Sequence, residues 1–158
     1  MLFRSTGTGT FLLGVLRRIA QIATDNGGAG TVPAEINAAV ARLIAFEMQL
    51  GPFAVAQLRL LAEVVALTGD APKTPLRMFV TDTLGNPDDD ASWIPGFLAP
   101  IAQSRREANK IKRDEAITVV IGNPPYKEKA KGRGGWVEGD GSKNQMDAPL
   151  TDWMPPRE

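Results

Sequence analysis

The run Ile117-Thr118-Val119-Val120-Ile121, followed directly by Gly122-Asn123-Pro124-Pro125-Tyr126, restricts the fold of this chain more than any other stretch. An apolar, β-branched run bounded by Gly and Pro predicts a buried parallel strand. The two prolines have no N–H to donate to a ladder, so the sheet must stop there and a stiff loop must follow. That loop offers an amide side chain, two fixed φ angles and one aromatic ring at the carboxyl end of a strand, where open α/β sheets place their ligands. Two more runs share this character. Leu43-Ile44-Ala45-Phe46-Glu47 and Leu76-Arg77-Met78-Phe79-Val80-Thr81 each read as a strand with a carboxylate at its end, Glu47 in the first and Asp82 after the second. Helical patterns separate them, so the expected class is a Rossmann-like α/β fold with strands near Ile44, Phe79 and Val119 and a stub at Leu2.

Composition narrows the chemistry. The 158 residues, 43% hydrophobic and 23% charged, fit one α/β domain. Cysteine and histidine are both absent. That removes disulfides, thiolate zinc sites, cysteine nucleophiles and every His-dependent triad, so catalysis has to proceed without them. No apolar run is expected to cross a bilayer, and the first residues lack the pattern of a secretory signal, which makes the cytoplasm the expected location. Lys plus Arg equals Asp plus Glu at 18 each. A phosphate-binding role would therefore need a local basic patch.

Near the start, Ser5-Thr6-Gly7-Thr8-Gly9-Thr10-Phe11 combines small residues with two glycines, and the apolar spacing from Phe11 through Val15, Leu16 and Ile19 then predicts an amphipathic helix. The turn lacks the Gly-Lys-Ser/Thr ending of a P-loop and is too short for a dinucleotide fingerprint. Residues 25–30 read as a flexible linker, and Pro33 and Glu35 suit the first turn of a second helix. Residues 52–67 predict a helix whose core face is Phe53, Val55, Ala56, Leu58, Leu61, Ala62 and Val65, with Arg59 and Glu63 opposite. Glu47, at a strand tip, suits the hydroxyls of a ribose, because one carboxylate accepts from both. The acid run at 88–90 reads as a solvated turn rather than a metal site. Residues 100–116 predict a polar helix with a solvent-facing charged side, and Lys127, Lys129, Lys131 and Arg133 form a basic, glycine-rich segment suited to phosphates.

Asn123-Pro124-Pro125-Tyr126 after a hydrophobic strand resembles the catalytic loop of the S-adenosylmethionine-dependent DNA amino-methyltransferases, chiefly the N6-adenine class. Thr6 to Leu12 resemble the same family's Asp-Pro-Ala-x-Gly-x-Gly-x-Phe-Leu turn, and residues 46–56 resemble the second motif of its large single-polypeptide restriction-modification members. The resemblance implies that Thr6, Gly7, Thr8, Gly9, Thr10 and Phe11 cradle the methionine part of S-adenosylmethionine. It further implies that Glu47 holds the ribose and that Asp82, Thr83 and Leu84 hold the adenine. Asn123 and the Pro124 carbonyl would accept the hydrogens of the target amine, Pro125 would keep them in register, and Tyr126 would stack on a base flipped from double-stranded DNA.

Phe3, Arg4 and Ser5 stand where the family has Asp, Pro and Ala, so the chain is expected to begin inside the motif, with only Met1 and Leu2 left of the first strand. The fold expected from the resemblance is thus a methyltransferase domain incomplete at both ends: residues 1–85 the cofactor half, 86–116 a loop and charged helix, 117–158 the catalytic loop and a shortened remainder. The family places its first strand between the second and the fourth. The implied function is adenine-N6 methylation of DNA within a restriction-modification system, without a metal, in a parent that can carry nuclease or helicase modules. Cytosine N4 is the alternative target, and a remnant or partner-dependent piece without activity of its own is the alternative of another class.

Overall fold

A computed structural model of the chain describes residues 1–88 and 96–123, together with Val137. Strands β1 (Leu2–Arg4), β2 (Ile44–Glu47), β3 (Arg77–Val80) and β4 (Val120–Gly122) form one parallel sheet in the order β3-β2-β1-β4. Helices α1 (Thr10–Gly27), α2 (Val32–Arg42), α3 (Leu50–Thr68) and α4 (Ala99–Asp114) connect them. The architecture is α/β and compatible with a Rossmann-like fold. The strand order expected from the resemblance, with β1 between β2 and β4, is the order observed.

Alternation along each strand sorts the side chains into two layers. Phe3, Ala45 and Met78 join α1, α2 and α3 in the larger core, which includes Leu12, Leu16, Ile36, Val40, Leu60 and Val64. Leu2, Ile44, Phe46 and Phe79 face the other way and pack on Ala108 and Ile111 of α4. The chain builds outward from β1 to β3, then α4 carries it back to place β4 on the far side of β1. A topological switch point therefore lies between the carboxyl ends of β1 and β4.

Several sequence expectations need correction. β1 is more than a two-residue stub: Phe3 and Arg4, assigned to the turn by the motif match, belong to a strand paired on both sides. The segment 25–30 is no free linker, because α1 continues to Gly27 and a 3-10 turn, Ala29–Thr31, follows at once. Thr31 Oγ1 donates to the carbonyls of Ala23 and Gly28 at 3.0 and 2.9 Å and ties that corner down. β4 starts at Val120 rather than Ile117 and is not buried: Val119 and Val120 are 43% and 53% exposed. It is the outer strand among the described residues, where only Ile121 turns into the larger core.

Helix α3 shows the largest departure. Its buried stripe is Ala56, Leu60 and Val64, with Phe53 and Leu67 partly covered, whereas the expected core residues Val55, Leu58, Leu61 and Val65 are exposed. The helix is apolar nearly all round, so periodicity could not select a face. Two polar contacts accompany the observed rotation: Glu63 takes a two-pronged ion pair from Arg17 of α1 at 2.8 and 2.7 Å, and Arg59 donates to the Thr8 carbonyl at 2.7 Å. Arg59 and Glu63 thus lie on the side of α1 and its entry turn, and an apolar strip is left outward. Contrary to expectation, Leu50–Thr68 is long and apolar enough, by length and composition alone, to cross a membrane.

Candidate functional site

Because all four strands are parallel, the residues that follow them gather along one sheet edge: Asp82 after β3, Glu47 at the end of β2, the glycine turn after β1, and Asn123 after β4. Three strand spacings of about 4.8 Å separate the outermost pair.

The turn is tightly specified. Ser5, Gly7 and Gly9 all have positive φ, at 47°, 57° and 84°. Thr6 is buried between them, its amide and hydroxyl both donating to the Phe46 carbonyl at 3.1 and 3.0 Å. Gly9 caps α1 in the left-handed conformation, and a Cβ there would lie 3.3 Å from the Ala56 Cβ, so α3 approaches the turn as closely as a glycine permits. No side chain caps α1 among the described residues. The positive end of the helix dipole is thus open at the switch point, a setting suited to a carboxylate or phosphate. A Cβ placed on Gly7 would meet nothing within 4 Å, so the space beside the turn is free for a ligand.

Glu47 is 8% exposed, and both of its oxygens are engaged: Oε2 accepts the Gly7 amide at 2.8 Å and Oε1 the Gln49 amide at 2.9 Å. The carboxylate that the sequence offered for a ribose therefore also ties the glycine turn to β2. Each oxygen keeps a second lone pair that can accept from a ligand hydroxyl.

Asp82 is exposed, and its Oδ1 accepts the Leu84 amide at 2.9 Å while its carbonyl accepts the Gly85 amide at 3.3 Å, closing a turn over 82–85. Thr81 donates its amide to the Glu47 carbonyl at 3.0 Å, so the Asp82 turn stands directly beside Glu47. Thr83 and Leu84 are half-buried in that turn. Asn123 is exposed, one residue beyond β4. Gly122 before it pairs with Arg4, and a Cβ on Gly122 would lie 3.0 Å from the Arg4 carbonyl oxygen. β4 and β1 are therefore drawn together at their carboxyl ends, so Asn123 follows β4 on the opposite side of the switch point from the glycine turn. Pro124, Pro125, Tyr126, Lys127, Lys129, Lys131 and Arg133 lie outside the described residues.

Helix α4 contributes residues beyond the solvent-facing charged side expected of it. Lys112 Nζ donates to the carbonyls of Asp82 and Gly85 at 2.7 and 3.2 Å and sits 5.9 Å from the centre of the Phe46 ring. Burial pulls its pKa below the ordinary lysine value, an effect opposed by the Asp82 carboxylate and reinforced by Arg105 and Arg4. Arg113 donates to the Pro87 carbonyl, and Ser104 Oγ accepts the Val80 amide at 2.7 Å. One signal for Lys112 was present: buried Ala108 and Ile111 set the inner face of α4, and Lys112 borders that face.

Comparison with known protein families, with curated proteins and with solved structures found no match to this chain.

Proposed function

We propose that this chain is the cofactor-binding and catalytic-loop portion of an S-adenosylmethionine-dependent DNA adenine-N6 methyltransferase, with a methyltransferase version of the Rossmann-like fold. One observation carries the reading. The Asp82 turn, the Glu47 carboxylate, the uncapped glycine turn and Asn123 stand in that order along one edge of a parallel sheet, on both sides of its switch point.

The donor set suits the ligand. The open N-terminus of α1 favours an amino-acid carboxylate, the free space at Gly7 admits its backbone, Glu47 has lone pairs for ribose hydroxyls, and the exposed Asp82 carboxylate accepts from an adenine amine. When bound, S-adenosylmethionine supplies an electrophilic methyl group. The target amine of adenine is a poor nucleophile, since its lone pair is delocalised into the ring. Asn123 Oδ1 and the Pro124 carbonyl would accept its two hydrogens, favouring a pyramidal nitrogen whose lone pair would take the methyl as its bond to sulfur breaks and a neutral thioether leaves; the methylated nitrogen would then release one proton to water. Tyr126 stacks on the base after it leaves the duplex, and Lys127, Lys129, Lys131 and Arg133 follow the phosphates of double-stranded DNA. Neither a nucleophilic side chain nor a strong base is needed, in keeping with a chain that has no Cys or His. Cytoplasmic modification within a restriction-modification system, alongside nuclease or helicase modules of a longer parent, is the setting that fits.

The exposed outer strand favours a second reading. With Val119 and Val120 about half in solvent, β4 lacks the cover that a central parallel strand receives. On that reading the chain works only when another segment or partner covers it.

The test is methyl transfer from labelled S-adenosylmethionine to DNA by the wild type and Asn123→Ala. Asn123→Ala should abolish transfer and leave cofactor affinity nearly unchanged; retained transfer contradicts the assignment. Base analysis of the product separates N6-methyladenine from N4-methylcytosine, and transfer that appears only with a partner supports the second reading.

A further inference from the structure

The basic residues of α4 read from sequence as a uniform solvated face, yet one of them reaches into the proposed site. The 82–85 turn has a carbonyl at each end, Asp82 and Gly85, and the Lys112 ammonium donates to both, at 2.7 and 3.2 Å. Within the turn, Asp82 already accepts the Leu84 amide through Oδ1 and the Gly85 amide through its carbonyl. The Lys112 ammonium lies over the Phe46 ring, 5.9 Å from its centre, and that ring meets Phe79 edge-on at 6.1 Å, so the amine sits above an aromatic pair in the α4 layer. A charged donor bonded to a carbonyl is stronger than a neutral one. Such a donor bridging both ends of a four-residue turn fixes the direction of the carboxylate at the turn's first position.

We propose that Lys112 is the positioning residue of the adenine end of this site, holding the 82–85 turn in the shape that aims Asp82 at the exocyclic amine of the cofactor's adenine. The inference rests on the methyl-donor reading of the sheet edge given above. Lys112 makes no contact with the ligand in this account and acts only through the turn. Arg113, its neighbour, anchors the chain further along, at the Pro87 carbonyl, and serves as the internal control.

The experiment combines amide hydrogen exchange of the ligand-free protein with titrations of adenosine and of methionine, in the wild type, Lys112→Met, Lys112→Gln and Arg113→Met. Charge-assisted hydrogen bonds of this kind should make Lys112→Met exchange faster at the Leu84 and Gly85 amides and raise the adenosine Kd about tenfold. Methionine affinity should not change, and Lys112→Gln, which keeps a donor, should fall between. Arg113→Met should leave adenosine binding as in the wild type. Unchanged exchange and unchanged adenosine affinity in both Lys112 variants overturn the proposal, and so does weakened adenosine binding with unchanged exchange, which would mean direct contact. A wild type that binds no adenosine defeats the methyl-donor reading, and the exchange data then decide the role of Lys112 in the turn by themselves.

Discussion

The Glu47 carboxylate accepts the backbone amide of Gly7 at 2.8 Å, across 40 residues of sequence. One side chain at the tip of β2 thereby fixes the glycine turn at the end of β1, and its other oxygen takes the Gln49 amide that leads into α3. Removing it should affect both fold and site. Glu47→Ala leaves the Gly7 and Gln49 amides without their part-buried acceptor, at a cost of roughly 1–3 kcal/mol. The check is urea unfolding, in which Glu47→Ala should lower the midpoint and Glu47→Gln, which keeps a carbonyl acceptor, should lower it less.

Gly9 stands in the left-handed region at φ 84°, with Ala56 of α3 3.3 Å from the position of a Cβ. Gly9→Ala should therefore destabilise by about 1–2 kcal/mol from backbone strain, with crowding added. Adding Ala56→Gly removes the crowding but not the strain. A double-mutant cycle should show favourable coupling between the two changes; strict additivity would mean that α3 simply moves aside.

Gly122→Ala brings a Cβ within 3.0 Å of the Arg4 carbonyl oxygen at the mouth of the switch point. Overpacking of this kind costs about 1–3 kcal/mol. It should push β4 from β1 and move Asn123, so methyl transfer should fall much more than cofactor affinity. Equal losses of both would argue against a place for Asn123 apart from the cofactor's own contacts.

The Arg17–Glu63 pair predicts a definite acid response. The hydrogen bond and charge of Arg17 hold the Glu63 carboxyl below its usual pKa of 4.5. Below that usual value the unfolded chain takes up the proton first, so the contribution of the pair is fully present at neutral pH and is lost as pH falls through the folded pKa. The stability difference between wild type and Arg17→Gln should be measurable at pH 7 and vanish in strong acid. Lys112 has the opposite consequence at the alkaline end: burial lowers its pKa from 10.5, so stability should rise with pH between its folded value and 10.5.

Legibility followed the strength of the local signal. The three apolar runs ending in Glu47, Asp82 and Asn123 identified their strands, because a β-branched run closed by turn residues has few other uses in an α/β chain. Glycines at 7 and 9 mark the turn, since positive φ favours glycine, whereas the positive φ of Ser5 has no such signal. Helix α3 is readable as a helix but not in its rotation: the outward strip of Val55, Leu58 and Val65 is as apolar as the inward one, and the partners of its inward side, such as Arg17 and Thr8, are far away in sequence. β4 departs from its expected burial for a related reason. Hydrophobicity reports the capacity of Val119 and Val120 to be covered, not the presence of a cover. The double duty of Glu47 and the reach of Lys112 are tertiary facts, with hydrogen bonds spanning 40 and 30 residues, and no spacing rule encodes them.

The most direct test of the central claim is a thermal melt of the purified chain with and without S-adenosylmethionine. If the edge formed by the Asp82 turn, Glu47 and the glycine turn is a methyl-donor site, ligand at about a hundred times its Kd should add roughly 2.7 kcal/mol and raise the transition clearly. The shift should shrink by about half or more in Asp82→Ala at the same ligand concentration. A cooperative melt that millimolar S-adenosylmethionine does not move would contradict the account, because the protein would be folded and the site would not be one.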